Sequence, residues 1–425
     1  MRNDSDSDSE FPFSDRCDNV TMLEHGYCYG YVLCGLCYGG GFRIASPVYD
    51  LYNLIIIGIL LPIVGCFGIV GDLLSAFVYS RPCMRSSVNV YLCALAGSDV
   101  TIIATAFFLF FLENMRKHSV SVAYYYAKAA PVMYPLGLTA QTCSVFFTVA
   151  AAFDCYITVV GSVAWRQRCC TVRRSMLIVV VIVLIACLYN VSHLFEVYVV
   201  DCWSSTFNEI TLDVCPTEFR ADPVYIQLYY VYGYTFVMAG GPVFLLLVLN
   251  SAIIIGSRRK RRRSAESHAG GTDVITLVLV VFLFIFCNTL ALIVNVLEIG
   301  FGEHEFVLVA ISYLVDVSNF LVVCNSSANF SIYYAFGDSF RGTLKDYLCT
   351  KRSIRAKSPQ ARHRRRQLTN GNTVMSSNTS ESHAMLTNAP SDNCAALISP
   401  RTNATHIDDI EQRLMLLAGP KEILI

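Results

Sequence analysis

The sequence predicts an all-α membrane protein, a bundle of seven spanning helices with a short amphipathic eighth, and three observations predict it. First, 54% of the 425 residues are hydrophobic and only 15% charged, and the apolar residues gather into long runs instead of alternating at short period. Second, seven runs are long enough to cross a hydrocarbon core of about 30 Å: Leu51 to Val78, Val88 to Leu112, Ala130 to Val160, Met176 to Val199, Ile226 to Ile255, Val274 to Ile299 and Phe306 to Tyr334. Third, the connections alternate in charge. Arg81, Arg85, Arg166, Arg168, Arg173, Arg174, the run Arg258 to Arg263, Arg341, Lys345, Lys351 and Arg352 lie on one side, and Asp201, Glu209, Asp213, Glu218, Asp222, Glu303 and Glu305 lie on the other. The positive-inside rule makes the basic side cytoplasmic and puts the N-terminus outside. Arg116-Lys117-His118 dissents and is outvoted. A formal net charge of zero carries little information when charge is partitioned by loop, and nothing points to nucleic acid.

Taken in order, residues 1–50 open with an acidic Ser/Asp run and continue Gly-, Tyr- and Cys-rich. No basic region precedes an apolar core, so no cleavable signal is visible and the first helix serves as the insertion signal. This extracellular segment is expected to be disordered. Asn3 and Asn19 begin glycosylation sequons. Cys17, Cys28, Cys34 and Cys37, and Cys202 and Cys215 in the second outer loop, meet an oxidising environment, where disulfides form without the sequence fixing their pairing. The bundle, 51–335, follows. Phe336, Phe340, Leu344 and Leu348 then recur every four residues with Arg341 and Lys345 between them, an amphipathic helix over 336–349 lying on the inner leaflet. Cys349 closes it as a palmitoylation candidate. Residues 350–425 turn basic, then Ser-, Thr- and Asn-rich, and read as a disordered cytoplasmic tail whose hydroxyls can take phosphates.

The third run is the centre of the bundle. Thr139, Gln141, Thr142, Ser144 and Thr148 lie inside it, and small polar groups at that depth must face other helices or a water-filled cavity. In the second run Asp99 lies near mid-membrane, which costs about 2.5–3.5 kcal/mol on insertion scales and calls for a partner or a function. In the seventh, Asn325 and Asn329 are spaced to share a helix face.

Several stretches together resemble the invertebrate FMRFamide-type neuropeptide receptors of the rhodopsin-like class of G-protein-coupled receptors. They are Met84 to Leu92, Pro135 to Val149, Leu188 to Glu196, Cys215 to Arg220, Phe286 to Leu290 and Asn325 to Phe330. Gly71-Asp72 stands where such receptors have Gly-Asn, Leu95-Ala96-Gly97-Ser98-Asp99 matches their Leu-Ala-x-x-Asp, and Asn329 to Tyr333 matches Asn-Pro-x-x-Tyr with Phe330 for Pro. The resemblance implies a plasma-membrane receptor, not an enzyme. It would bind a short amidated neuropeptide and shift toward a state that admits a heterotrimeric G protein, with arrestin and receptor kinases as further partners. It implies no cofactor beyond a structural sodium ion among Asp99, Ser144, Asn325 and Asn329, whose oxygens suit a hard cation. Asp72 and Asp99 would then lie close together in low dielectric and share a proton. The activation switch maps to Asp154, Cys155, Tyr156, Val145, Pro242, Phe284, Asn288 and Tyr333. For an Arg-Phe-amide ligand the outer cup needs carboxylates, and Glu196, Glu298 and Asp316 lie near the outer helix ends.

The chain also departs from the pattern. Cys155 replaces the arginine of Asp-Arg-Tyr, leaving Asp154 without its usual partner. Asn288 and Leu290 replace the Trp and Pro of the sixth helix. Ala130 stands where a cysteine normally bonds the second outer loop, so Cys202 and Cys215 pair with each other, pair with N-terminal cysteines, or stay free. Cys155 motivates an alternative, a peptide-binding protein with weak or absent coupling. A transporter, the remaining rival, would show repeated halves with paired broken helices, and the sequence has neither.

Overall fold

The computed structural model describes residues 27–28, 31–34, 47–263, 271–301 and 305–356. Asn3 and Asn19 lie outside the described residues. Among the described residues, seven helices are long and apolar enough to span a membrane: α1 (Pro47–Tyr79), α2 (Ser87–Met115), α3 (Val120–Val160), α4 (Val172–Phe195), α5 (Pro223–Arg259), α6 (Val274–Leu297) and α7 (Val309–Phe336). The eighth, α8 (Asp338–Ala356), buries Phe340 and Leu344 and is longer than the 336–349 expected.

α3 is the longest, 41 residues with Pro131 and Pro135 inside it. At 1.5 Å per residue it extends about 62 Å, twice the hydrocarbon thickness. It begins ten residues before the apolar run does, because the Val-Ser-Val-Ala-Tyr-Tyr-Tyr-Ala-Lys stretch continues the helix beyond the apolar segment. α2 starts on a Ser86 cap, whose side chain accepts from the Asn89 amide. The first part of α5, Ile226–Gly240, is π-wound. It ends just before Pro242, which has no amide hydrogen to continue a regular ladder. α1 can approach α7 closely because Gly68 and Gly71 have no side chain: a Cβ at Gly71 would sit 2.7 Å from that of Phe330, and one at Gly68 would collide with Ser327.

The largest core cluster lies toward the C-terminal side of the bundle, where Tyr79, Tyr91, Phe147, Leu277, Val280, Tyr333 and Phe340 pack together. At the N-terminal side the chain forms a sheet in the order β1-β2-β3-β4. β3 (Val197–Ser204) and β4 (Glu209–Pro216) are an antiparallel hairpin turned at Asn208, whose φ is 53°. β2 (Tyr31–Leu33) adds in parallel to β3, and β1 (Tyr27–Cys28) pairs with β2. The N-terminal segment therefore contains regular structure where disorder was expected.

The disulfide question resolves in this sheet. Cys34 bonds Cys202, beside the pairing of Leu33 with Trp203, and Cys215 is also disulfide-bonded. Cys202 and Cys215 do not pair with each other. Cys202 lies opposite Thr211 and Cys215 opposite Tyr198, an offset of about 13 Å along the strands, beyond disulfide reach. Arg116 adds a second tie. It donates to Asp213 of β4 at 2.7 Å and stacks over Tyr126 of α3. The basic cluster that ran against the charge rule thus places its first member in an ion pair with the hairpin.

Candidate functional site

Polar side chains collect at three depths along the bundle. At the N-terminal side, α4 closes through a tight turn at Val191–Phe195 and delivers Glu196 to the interior, fully buried. Its Oε1 accepts from Tyr225 at 2.5 Å and Tyr230 at 2.9 Å and lies 2.7 Å from His193 Nδ1. Its Oε2 accepts from Tyr230 at 2.8 Å and from Arg220 at 3.2 Å. The other His193 nitrogen meets the Tyr229 hydroxyl at 2.8 Å, and Tyr134 of α3 accepts from Arg220. Burial works against the charge of Glu196, but the hydrogen bonds from His193, Tyr225 and Tyr230 outweigh it and bring the carboxyl down from 4.5 to about 2. The stability that this shift contributes is complete above about pH 4.5 and is lost only as pH falls through about 2. Glu196 is therefore a carboxylate throughout the physiological range, joining α4 to α5, while Tyr134 of α3 meets its partners Arg220 and Tyr230.

Asp316 belongs to a different cluster. It is buried and accepts from Asn53 of α1 at 3.0 Å, beside the packed rings of Tyr49, Tyr52 and Tyr313. The side chain of Glu298 lies outside the described residues. The expected carboxylates of the cup are thus not one constellation, and Arg220, which the sequence reading passed over, is the charged group that joins Glu196.

At mid-bundle Asp99 is fully buried and accepts three hydrogen bonds: Ser144 of α3 at 3.1 Å, Ser326 at 3.0 Å and Asn329 at 2.8 Å, the last two from α7. Ser326 takes a place that the resemblance gave to Asn325, which is also buried. The oxygens that could hold a hard cation here are those of Asp99, Ser144 and Ser326, with Asn329 Oδ1, which is buried without a partner. Asp72 lies within electrostatic reach of Asp99, and both its carboxylate oxygens, with Ser75 Oγ, Ser327 Oγ and the Tyr333 hydroxyl, are likewise buried without a hydrogen-bond partner.

At the C-terminal side Asp154 is not left without a partner. Ser87, in the first turn of α2, donates to it at 2.6 Å. Cys155 is buried in the main core cluster, packing as a small residue. Val145 and Phe284 meet in one cluster with Leu246, Leu249 and Val281, joined by Tyr156 and by Val243, which follows the buried Pro242. Asn288 turns its amide onto its own helix at the Phe284 carbonyl, 2.8 Å away. Tyr333 packs edge-on to Tyr79 and against Phe340 of α8. The side chain of Cys349 lies outside the described residues.

Residues 73–333 match the model of the seven-transmembrane receptors of the rhodopsin family. The chain belongs to that family. It is 50% identical over 357 residues, 80% of its own length and 92% of the relative's, to the probable G-protein coupled receptor frpr-1 of Caenorhabditis elegans. It is 30% identical over 294 residues to the FMRFamide receptor of Drosophila melanogaster, covering 67% of this chain and 52% of that one. A third relative, the FMRFamide peptide receptor frpr-18 of Caenorhabditis elegans, is 31% identical over 291 residues, 65% of each chain. The receptor is thus a multi-pass membrane protein of a family of receptors, not of enzymes.

Because the Ser87 bond ties the start of α2 to Asp154 near the end of α3, Ser87→Ala removes a charge-assisted hydrogen bond of about 1.5–3 kcal/mol. Basal signalling at matched surface expression is expected to rise. An unchanged basal level assigns the Asp154–Ser87 pair no part in holding the resting state.

Proposed function

We propose that the receptor resides in the plasma membrane with its N-terminal side outside, binds a short C-terminally amidated neuropeptide of the FMRFamide type, and passes the binding event to a heterotrimeric G protein. The observation that carries this reading is similarity over 294 and 291 residues, about two thirds of this chain, to two proteins named as FMRFamide receptors. The tyrosine-rich, charged N-terminal side supports it. Tyr134, Tyr225, Tyr229 and Tyr230 offer amphipathic rings, and Glu196 and Arg220 supply charge of both signs. Arrestin and receptor kinases are proposed partners of the phosphorylated tail. Peptide binding shifts the equilibrium toward an open cytoplasmic side by repacking Val145, Phe284 and the segment after Pro242. With Cys155 in place of an arginine, coupling is weaker than the family norm but present, since a thiol cannot supply a forked cation. A panel of amidated peptides applied to cells expressing the receptor, with G-protein and arrestin readouts, tests this. At least one peptide is expected to evoke both responses. Specific binding without either response would favour the reading, motivated by Cys155, of a binding protein that does not couple.

We further propose that the oxygens around Asp99 hold a sodium ion in the resting state. Thermal unfolding of purified receptor in sodium chloride against choline chloride measures this. Sodium is expected to raise the midpoint, and Ser144→Ala to diminish the rise. Equal midpoints in the two salts for the parent would remove sodium from the account.

A further inference from the structure

The ion pair between Glu196 and Arg220 has an unequal anatomy. The carboxylate is fully enclosed, while the arginine side chain is 41% exposed. Arg220 comes from the short helix Glu218–Ala221 in the link between β4 and α5, and the start of that link is fixed independently. The Thr217 amide donates to the Glu196 carbonyl at 2.9 Å, and the Thr217 hydroxyl donates to the Phe195 carbonyl at 2.7 Å. The guanidinium can therefore leave without the backbone moving.

Leaving is also inexpensive for the carboxylate. His193, Tyr225 and Tyr230 stay in contact with Glu196 when Arg220 departs, so no buried charge is stranded, the condition that makes breaking a buried pair costly. The donors around Glu196 differ in this respect. The histidine and tyrosines are carried by α4 and α5, and only the arginine reaches in from the solvent side with a long flexible arm. The path that arm occupies leads from solvent to a carboxylate, walled by the rings of Tyr134 and Tyr230, which lie 5.7 and 5.9 Å from the guanidinium carbon. A charge-assisted acceptor flanked by aromatic faces is a guanidinium subsite.

We propose that Glu196 is the subsite for an arginine side chain of the peptide and that Arg220 is its built-in occupant, displaced when agonist binds. This rests on the peptide reading above and names the group within the peptide that the site recognises. Arg220 then acts as a competitor held at high local concentration, reducing apparent affinity by the fraction of time it fills the site. An occupancy of about 90% corresponds to about a tenfold reduction.

The experiment uses two probes on full-length receptor in membranes, the tetrapeptide Phe-Met-Arg-Phe-amide and its analogue with neutral citrulline in place of arginine, with receptor number set by surface labelling. The parent is expected to bind the arginine peptide more tightly. Arg220→Ala is expected to tighten the arginine peptide about tenfold and the citrulline analogue far less, widening the ratio between them. Glu196→Gln, which keeps the shape and removes the charge, should collapse that ratio. If Arg220→Ala weakens the arginine peptide, or moves both probes equally, the displacement idea is overturned while the peptide reading stands. If the parent binds neither probe, the FMRFamide-type peptide reading falls and this inference with it.

Discussion

Everything in this bundle depends on satisfying polar groups where no solvent reaches, and Asp99 is the clearest instance. Burying a charged carboxylate is costly unless donors converge on it; those of Asp99 come from α3 and α7, whereas the neighbouring buried Asp72 has none. One side chain of α2 therefore fixes the mutual rotation of three helices. The same logic repeats at the N-terminal side, where Glu196 joins α4 to α5 through the hydroxyls of Tyr225 and Tyr230, and at the C-terminal side, where Ser87 joins α2 to α3 through Asp154. Apolar packing gives each helix a partner. The carboxylates specify which face meets which.

That arrangement connects structure to signalling. Helices tied through a few charged hydrogen bonds have discrete alternatives more than continuous deformations, because each tie is either made or lost. The apolar cluster of Val145, Phe284 and Leu246, lying between α3, α5 and α6, contains no such tie and can repack at lower cost. The making or loss of a tie at the Glu196 level can thus be expressed as a change in packing below it. The substitution at Cys155 fits this division. The core there is closed by a small buried thiol, and the restraint on Asp154 comes from a neighbouring helix.

Much of the fold was legible in the sequence, for a physical reason: the spanning runs are dictated by local hydropathy, and Arg and Lys partition by side whatever the tertiary structure. The Asp99 centre was legible because a charge at mid-membrane must be partnered, although its partners on α7 are Ser326 and Asn329, with Ser326 in the place expected of Asn325. What was not legible depended on chain segments far apart. The hairpin had a signal in its β-branched and aromatic run Val197 to Trp203 and in Asn208, overlooked because the fourth apolar run continued to Val199. No local pattern announces that Tyr31–Leu33 pairs with it across the intervening helices α1 to α4. Nor does any mark Ser87 as the partner of Asp154, or Arg220 as that of Glu196, since both contacts exist only once helices have docked.

The most direct test of this account is thermal unfolding of purified Asp99→Ala receptor in detergent micelles against the parent. Removing the acceptor strands the donors of Ser144, Ser326 and Asn329 in a buried site, at about 1–3 kcal/mol for each donor left unsatisfied. The account predicts a clear fall in the unfolding midpoint and a loss of cooperativity. A midpoint equal to or above the parent's would contradict it, showing that α2, α3 and α7 are aligned by apolar packing alone.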